Sequence, residues 1–192
     1  MFTALLDTCA LWPSLRRDFL LSLAIEGLYR PVWSSVILAE LEYEEAAKLV
    51  TRGSAPDDAQ RRAWHLVMRM RTAFKDALVV GWEGLEGSYG LPDPDDEHVL
   101  AAAVVANAGA IVTENVKDFP IDCLPAALDV VRPDQFATST VEISPPHALA
   151  AVKVMALRSG RNGPRLTPAD VLTRLEIRYG MGDAVSLLRP LL

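Results

Sequence analysis

The sequence predicts an α/β fold, a sandwich built around a parallel sheet, and two observations carry that prediction. Short apolar runs alternate along the chain with longer stretches of helical periodicity, the pattern of strands joined through helices. The composition also has the apolar mass to bury such a sheet: 51% of the 192 residues are hydrophobic and 23% are charged, which excludes wholesale disorder. At roughly 150 residues per domain, the length predicts one domain and an appendage.

Taken in order, Phe2 to Leu6 is a brief apolar strand that ends at Asp7. Leu15, Phe19, Leu23 and Leu28 recur at helical spacing and predict an amphipathic helix over 15–28. Pro31-Val-Trp-Ser34 reads as a second strand and Val36 to Val50 as a helix. After the loop at 51–56, Asp57 and Asp58 start a helix that runs to about Phe74. Ala77 to Trp82 is the third strand. A loop rich in Gly and Pro then leads to Asp93-Pro-Asp-Asp96, which caps the helix Val99 to Ala106. Ala110 to Thr113 and Ala127 to Val131 complete five strands.

Glu142-Ile-Ser-Pro-Pro146 breaks the pattern and divides the chain into a body, residues 1–140, and a helical extension, residues 145–192. Helices are expected there at Pro146 to Ser159 and Pro168 to Tyr179, with a further turn at Asp183 to Leu191. The second has a firm start: Thr167 as N-cap, Pro168 at the first helical position and Asp170 at the third.

The net charge of −6 argues against nucleic-acid binding by the whole surface, but it is unevenly divided. Residues 1–144 carry a net −10 and residues 145–192 a net +4. Two cysteines, Cys9 and Cys123, give neither a disulfide framework nor a zinc motif. No apolar run is long enough for a membrane span, and the N-terminus lacks the pattern of a secretory signal, so a cytoplasmic protein with no membrane partner is expected.

Binding sites in parallel α/β folds lie beyond the carboxyl ends of the strands, and acids stand at those ends. Asp7 closes the first strand, Glu40 lies one turn into the helix after the second, Asp93, Asp95 and Asp96 follow the third, and Glu114, Asn115 and Asp118 follow the fourth. Taken singly, Asp7, Asp93, Asp95 and Asp96 read as helix caps, and Glu40 reads as a solvated helix carboxylate like Glu42, Glu44 and Glu45. Capping does not require one acid per strand-to-helix junction. Converging carboxylates repel and are tolerated when a divalent cation neutralises them; an all-oxygen donor set favours Mg²⁺ or Mn²⁺ over zinc. His98, at the start of the helix that follows Asp96, reads as a surface residue.

Leu5-Leu-Asp-Thr8, Ile37-Leu-Ala-Glu-Leu41, Asp93-Pro-Asp-Asp-Glu-His-Val-Leu-Ala-Ala-Ala103 and Ile111-Val-Thr-Glu-Asn-Val-Lys-Asp-Phe-Pro120 resemble the motifs of PIN-domain ribonucleases, especially the VapC-type toxins of bacterial toxin–antitoxin pairs. The similarity spans about residues 2–136. It implies a three-layer sandwich with a central five-stranded parallel sheet, and a metal-dependent endoribonuclease that hydrolyses phosphodiester bonds to a 5′-phosphate and a 3′-hydroxyl. By motif, the implied catalytic set is Asp7, Glu40, Asp96, Asn115 and Asp118. Asp7 and Asp96 are the Mg²⁺ or Mn²⁺ ligands, Asp93 is the fallback for Asp96, and Thr113 supports the site. Asn115 stands where an acid is common, so Asp118 is the other candidate for that place. Two other fates of the same residues are a housekeeping RNA-processing nuclease without antitoxin and a non-catalytic metal-binding regulatory module.

RNA needs local positive charge beside such a site. Arg61, His65 and Arg69 fall on one helical stripe, which reads either as an RNA contact or as a solvated face. Arg158, Arg161 and Arg165 surround the loop 159–164 in the extension and are the second candidate contact. The resemblance also implies partners. The helices at 15–28 and 36–50 would offer an apolar surface to a small antitoxin or to a second copy, giving a homodimer or a toxin–antitoxin hetero-oligomer. The same apolar residues also suit the core of a monomer.

Overall fold

The computed structural model describes residues 1–160 and 163–192. In chain order the elements are β1 (Thr3–Leu6), α1 (Thr8–Leu11), α2 (Ser14–Ile25), β2 (Arg30–Val32), α3 (Ser35–Thr51), α4 (Pro56–Ala73), α5 (Glu97–Val105), β3 (Ala110–Val112), β4 (Asp129–Val131), α6 (Pro133–Ile143), α7 (Pro145–Arg158), α8 (Pro168–Tyr179) and α9 (Gly182–Leu188). Short 3₁₀ turns stand between several of them, including Pro94–Asp96 and Val116–Asp118. The residues group into two compact units, a sheet unit of residues 3–12 and 31–130 and a helical unit of residues 1–2, 13–30 and 131–192.

The sheet has four strands in the order β2-β1-β3-β4. β1 and β3 run parallel with Ala4 opposite Ala110, Leu5 opposite Ile111 and Leu6 opposite Val112. All six of those side chains are buried, as the continuous apolar runs of a covered parallel sheet require. The alanine-rich face of α5 packs on β1 and β3, and Val99 to Ala103 are buried there. Small side chains allow that close approach.

The expected third strand over 77–82 is not formed, so the sheet has four strands and not five. Trp33 donates its N–H to Ala77 O (3.0 Å) and accepts from Val79 N (2.9 Å), which makes a single parallel bridge between Trp33 and Leu78. Beyond that bridge Ser34 caps α3, so β2 offers no further residue to pair, and Gly81 takes a left-handed conformation, φ +78°. Its apolar character, read as strand propensity, goes into burying Ala77, Val79 and Trp82 instead.

The helical unit holds α2, α6, α7, α8 and α9. Tyr29 packs edge-on against Phe136 at 4.8 Å and donates its hydroxyl to Leu20 O (3.0 Å). Arg16 lies over the Tyr179 ring at 5.8 Å. α8 starts at Thr167 as expected: Asp170 N–H donates to Thr167 Oγ1 (3.1 Å), and Thr167 N–H donates to Asp170 Oδ2 (2.8 Å). It ends on Gly180, whose φ of +67° is the left-handed stop. α6 has no counterpart in the sequence reading. Its start follows the same rule, with Pro133 in the first turn and Gln135 accepting from the Arg132 N–H (3.3 Å). No helix of the described residues is long and apolar enough to cross a membrane.

Candidate active site

Asp7 is the first residue beyond β1, and its extended backbone (φ −72°, ψ 159°) makes it the N-cap of α1. The capping reading and the site reading therefore apply to one residue. Its Oδ1 accepts from Thr8 N–H (2.6 Å), and its Oδ2 accepts from the Thr113 hydroxyl (2.7 Å) and from the Cys9 thiol (3.0 Å). Asp7 is buried to 6% exposure and Thr113 to 0%. Thr113 is the residue after β3, so the parallel pairing of β1 with β3 brings the two side chains together. Thr113 Oγ1 in turn accepts from Asn115 N–H (3.1 Å).

Cys9, absent from the sequence-derived site, completes this knot. Its sulfur accepts from Glu114 N–H (3.1 Å) and lies 3.1 Å from Thr113 Oγ1. Burial and the neighbouring Asp7 carboxylate push the thiol up to about 12. It is a protonated packing and hydrogen-bonding group, not a nucleophile.

Glu40 enters from α3. Its Oε2 accepts from the Thr8 hydroxyl (2.5 Å), and its Oε1 lies 3.5 Å from His98 Nε2. The His98 contact, reinforced by Thr8, holds the Glu40 carboxyl below its ordinary value although partial burial opposes it. His98 is not the surface residue expected from sequence. It is 5% exposed, between Glu40 on one nitrogen and Ser34 Oγ at 3.4 Å on the other, with the Trp82 ring 6.0 Å away. The expectation failed because every residue from Glu97 to Ala103 is buried, so the first two turns of α5 offer its polar residues no solvent face. Glu45, expected to be solvated, is likewise buried and pairs with Lys48.

The aspartates after 92 separate into two roles. Asp93 is exposed and its Oδ1 accepts from Asp95 N–H (3.0 Å), so it caps the 3₁₀ turn. Asp96 is half-buried, and its carboxyl is pushed up to about 6 by burial and by the charges of Asp7, Asp93 and Asp118. That repulsion records the convergence of carboxylates from three chain segments. Asn115 is exposed, and its carbonyl accepts from Asp118 N–H (2.9 Å) across the turn.

Glu97 was also missed from sequence. It is 3% exposed and accepts backbone N–H groups from Gly87 (3.1 Å), Tyr89 (3.2 Å) and Leu91 (3.0 Å). Burial alone would raise its carboxyl, but these donors outweigh burial and hold it below its ordinary value. Glu97 thereby ties the loop 87–91 to the segment that carries Asp96. Its position next to a run of aspartates hid it among expected caps.

The donor chemistry fits a hard divalent ion: all the carboxylates are oxygen donors, and Asp96 carries the repulsion that a cation relieves. Among the described residues there is no group of three or more His, Cys, Asp or Glu arranged to hold a metal. An ion here would rest on one or two carboxylates with waters completing its shell, the usual arrangement for Mg²⁺.

The arginines proposed for RNA are placed differently. Arg61, His65 and Arg69 are exposed on α4, opposite its buried face of Ala59, Ala63, Val67 and Met70, and Arg61 pairs with Asp58. Arg158 is engaged within the helical unit by Asp18 (2.7 Å) and Ser22 (2.8 Å). Arg165 is exposed, and Arg161 lies outside the described residues. α2 and α3, expected to share a partner surface, belong to different units.

Residues 3–117 match the family of the PIN domain. The chain is also 37% identical over 81 residues to "Putative ribonuclease VapC50" of Mycobacterium tuberculosis, a match covering 42% of this chain and 47% of that protein. The chain thus spans about half the length of this curated relative. No solved structure matches the chain.

Proposed function

The chain belongs to the PIN-domain family, and on that premise we propose that it is a metal-dependent endoribonuclease and the toxin of a toxin–antitoxin pair. The observation that carries the nuclease reading is the electrostatic convergence on Asp96 of Asp7, Asp93 and Asp118, beside an Asp7 fixed on both oxygens. The likeness to "Putative ribonuclease VapC50" of Mycobacterium tuberculosis supports RNA as substrate, and the motifs shared with VapC-type toxins support a small antitoxin as partner.

Asp7 and Asp96 would hold Mg²⁺ or Mn²⁺, which when bound neutralises phosphate charge and acidifies an attacking water. Thr8 and Thr113 fix the Asp7 carboxylate, so no reorganisation is needed as charge develops on the phosphate. Glu40, kept ionised by His98 and Thr8, accepts a hydrogen bond from the water and orients it. The water adds to phosphorus, the bond to the 3′ oxygen breaks, and the products carry a 5′-phosphate and a 3′-hydroxyl. Asp118, through its charge on Asp96, has a stronger claim than the exposed Asn115 to the fourth acidic place.

The test is cleavage of total RNA by the full chain with Mg²⁺ or Mn²⁺ and with EDTA, followed by mapping of the 5′ ends. Discrete metal-dependent ends support the proposal, and intact RNA under both conditions rejects it. Co-purification with a small protein whose gene adjoins this one tests the toxin reading separately. Stable activity with no inhibitory partner would favour a housekeeping nuclease.

A further inference from the structure

The residue between β2 and α3 does more than start a helix. Ser34 is 0% exposed, and its Oγ caps α3 by accepting from Ile37 N–H (3.1 Å). The hydroxyl still has its own proton to place, out of reach of solvent. Buried donors are paired in the great majority of folded proteins, and among the described residues the acceptor that meets Ser34 Oγ is His98 Nδ1, at 3.4 Å. Ser34 therefore donates, and Nδ1 accepts.

That direction fixes the rest of the ring. A histidine whose Nδ1 accepts carries its proton on Nε2, and Nε2 is the atom that faces Glu40 Oε1 at 3.5 Å. The opposite tautomer would strand the Ser34 proton and set the Nε2 lone pair against a carboxylate. A ring protonated on both nitrogens would satisfy Glu40 but strand the Ser34 proton all the same. His98 is buried, with the Trp82 ring 6.0 Å away, so water has little access to repair either mismatch.

Glu40 is where this chain of contacts ends. Ser34 caps the helix that carries Glu40, and His98, in the first turn of α5, closes a ring between the two. On its other oxygen Glu40 accepts from the Thr8 hydroxyl (2.5 Å), and Thr8 N–H donates to Asp7 Oδ1 (2.6 Å). The carboxylate is thus met on both oxygens, yet its side chain is 44% exposed, which leaves lone pairs for a water. Capping explains the bond from Ile37 to Ser34, but a cap needs no imidazole behind it. We propose that Ser34 and His98 are positioning residues for the hydrolysis: Ser34 selects the ring nitrogen that carries the proton, and His98 aims Glu40 at the attacking water. This rests on the nuclease reading, in which Glu40 orients that water.

The test uses the full chain, first without metal and in mildly alkaline buffer. In long-range ¹H–¹⁵N spectra, with the ring signals assigned by their loss in His98→Gln, His98 should show a protonated Nε2 and a bare Nδ1. Ser34→Ala should release the ring into a mixture of tautomers. A proton on Nδ1, or a pattern that Ser34→Ala leaves unchanged, overturns the role of Ser34. The second arm measures cleavage of one defined RNA with Mn²⁺. A glutamine amide nitrogen takes the place of imidazole Nε2 and an asparagine nitrogen that of Nδ1, so His98→Gln keeps a donor toward Glu40 and His98→Asn does not. His98→Asn should lose about 10- to 100-fold in kcat, as for other outer-shell partners, with KM unchanged, and His98→Gln should recover most of that loss. Equal losses that follow the two variants' unfolding midpoints would make His98 a packing residue and overturn its role. Adding His98→Asn to Glu40→Ala should cost nothing further, and additive losses would show that His98 does not act through Glu40. A parent that leaves RNA intact overturns the nuclease reading and the positioning role with it; the spectra separate that failure from an error in the hydrogen-bonded chain.

Discussion

Asp7 is gripped on both carboxylate oxygens, so conservative substitutions around it should separate charge from geometry. Thr113→Val keeps the volume and removes the hydroxyl that orients Oδ2. Outer-shell partners of this kind are worth about 10- to 100-fold in activity or metal affinity, and the variant should lose activity in that range while staying folded, at a cost of about 1.5–3 kcal/mol for the lost bond to a buried carboxylate. Parent-like cleavage by Thr113→Val would mean that Asp7 needs no orientation. Glu97→Gln tests a structural role instead. Replacing a buried ionised acceptor of several backbone N–H groups should cost about 1.5–3 kcal/mol by urea unfolding, with the loop 87–91 becoming the first to exchange its amides. A variant as stable as the parent would show that the loop is held by other contacts.

At the scale of elements, α8 carries two local rules that can be checked separately. Asp170 is held below its ordinary value by the Thr167 hydroxyl and then by the Thr167 N–H. A depressed folded-state pKa means that this contribution is complete above the unfolded carboxyl value and is lost as pH falls through the folded one. Asp170→Asn should therefore flatten the acid limb of the stability curve, and superimposable limbs for the two proteins would contradict the assignment. At the other end, Gly180→Ala forces a Cβ into the left-handed conformation and should destabilise by about 1–2 kcal/mol. Caps of this kind are legible in sequence because they depend on a few adjacent residues, and Thr167, Pro168 and Asp170 gave the start of α8 correctly. The run from Ala77 to Trp82 was not legible in the same way. Ala77, Val79 and Trp82 are buried while Val80 is exposed, and whether such a run joins a ladder depends on its neighbour and its backbone, here Ser34 capping α3 and the left-handed Gly81, which hydropathy does not report.

At the scale of the molecule, the order of acids along the chain was readable although the strand expected before Asp93 and Asp96 is not formed: Asp7 closes β1, Glu40 stands in the helix after β2 and Asp118 comes after β3, and the parallel register of β1 and β3 brings Asp7 to Thr113. What the sequence concealed are the groups that hold those acids. Cys9, His98 and Glu97 are polar residues in apolar or acidic surroundings, and only the packing around them distinguishes a hydrogen-bonding partner from a surface residue. The charge distribution was readable in sum but not in detail: Arg158 is engaged by Asp18 and Ser22, so the basic extension has fewer free cations than its net +4 implies. RNA binding should accordingly be local and salt-sensitive. The central claim is that carboxylates converging on Asp96 support metal-dependent hydrolysis of RNA. It is tested most directly by comparing cleavage of one defined RNA by the parent, Asp7→Asn and Asp96→Asn at matched folded concentration, each with Mn²⁺ and with EDTA. The parent should cut only with the metal, and both variants should be inactive while retaining the parent's circular dichroism. Cleavage by either variant at the parent's rate, or by the parent in EDTA, would contradict it.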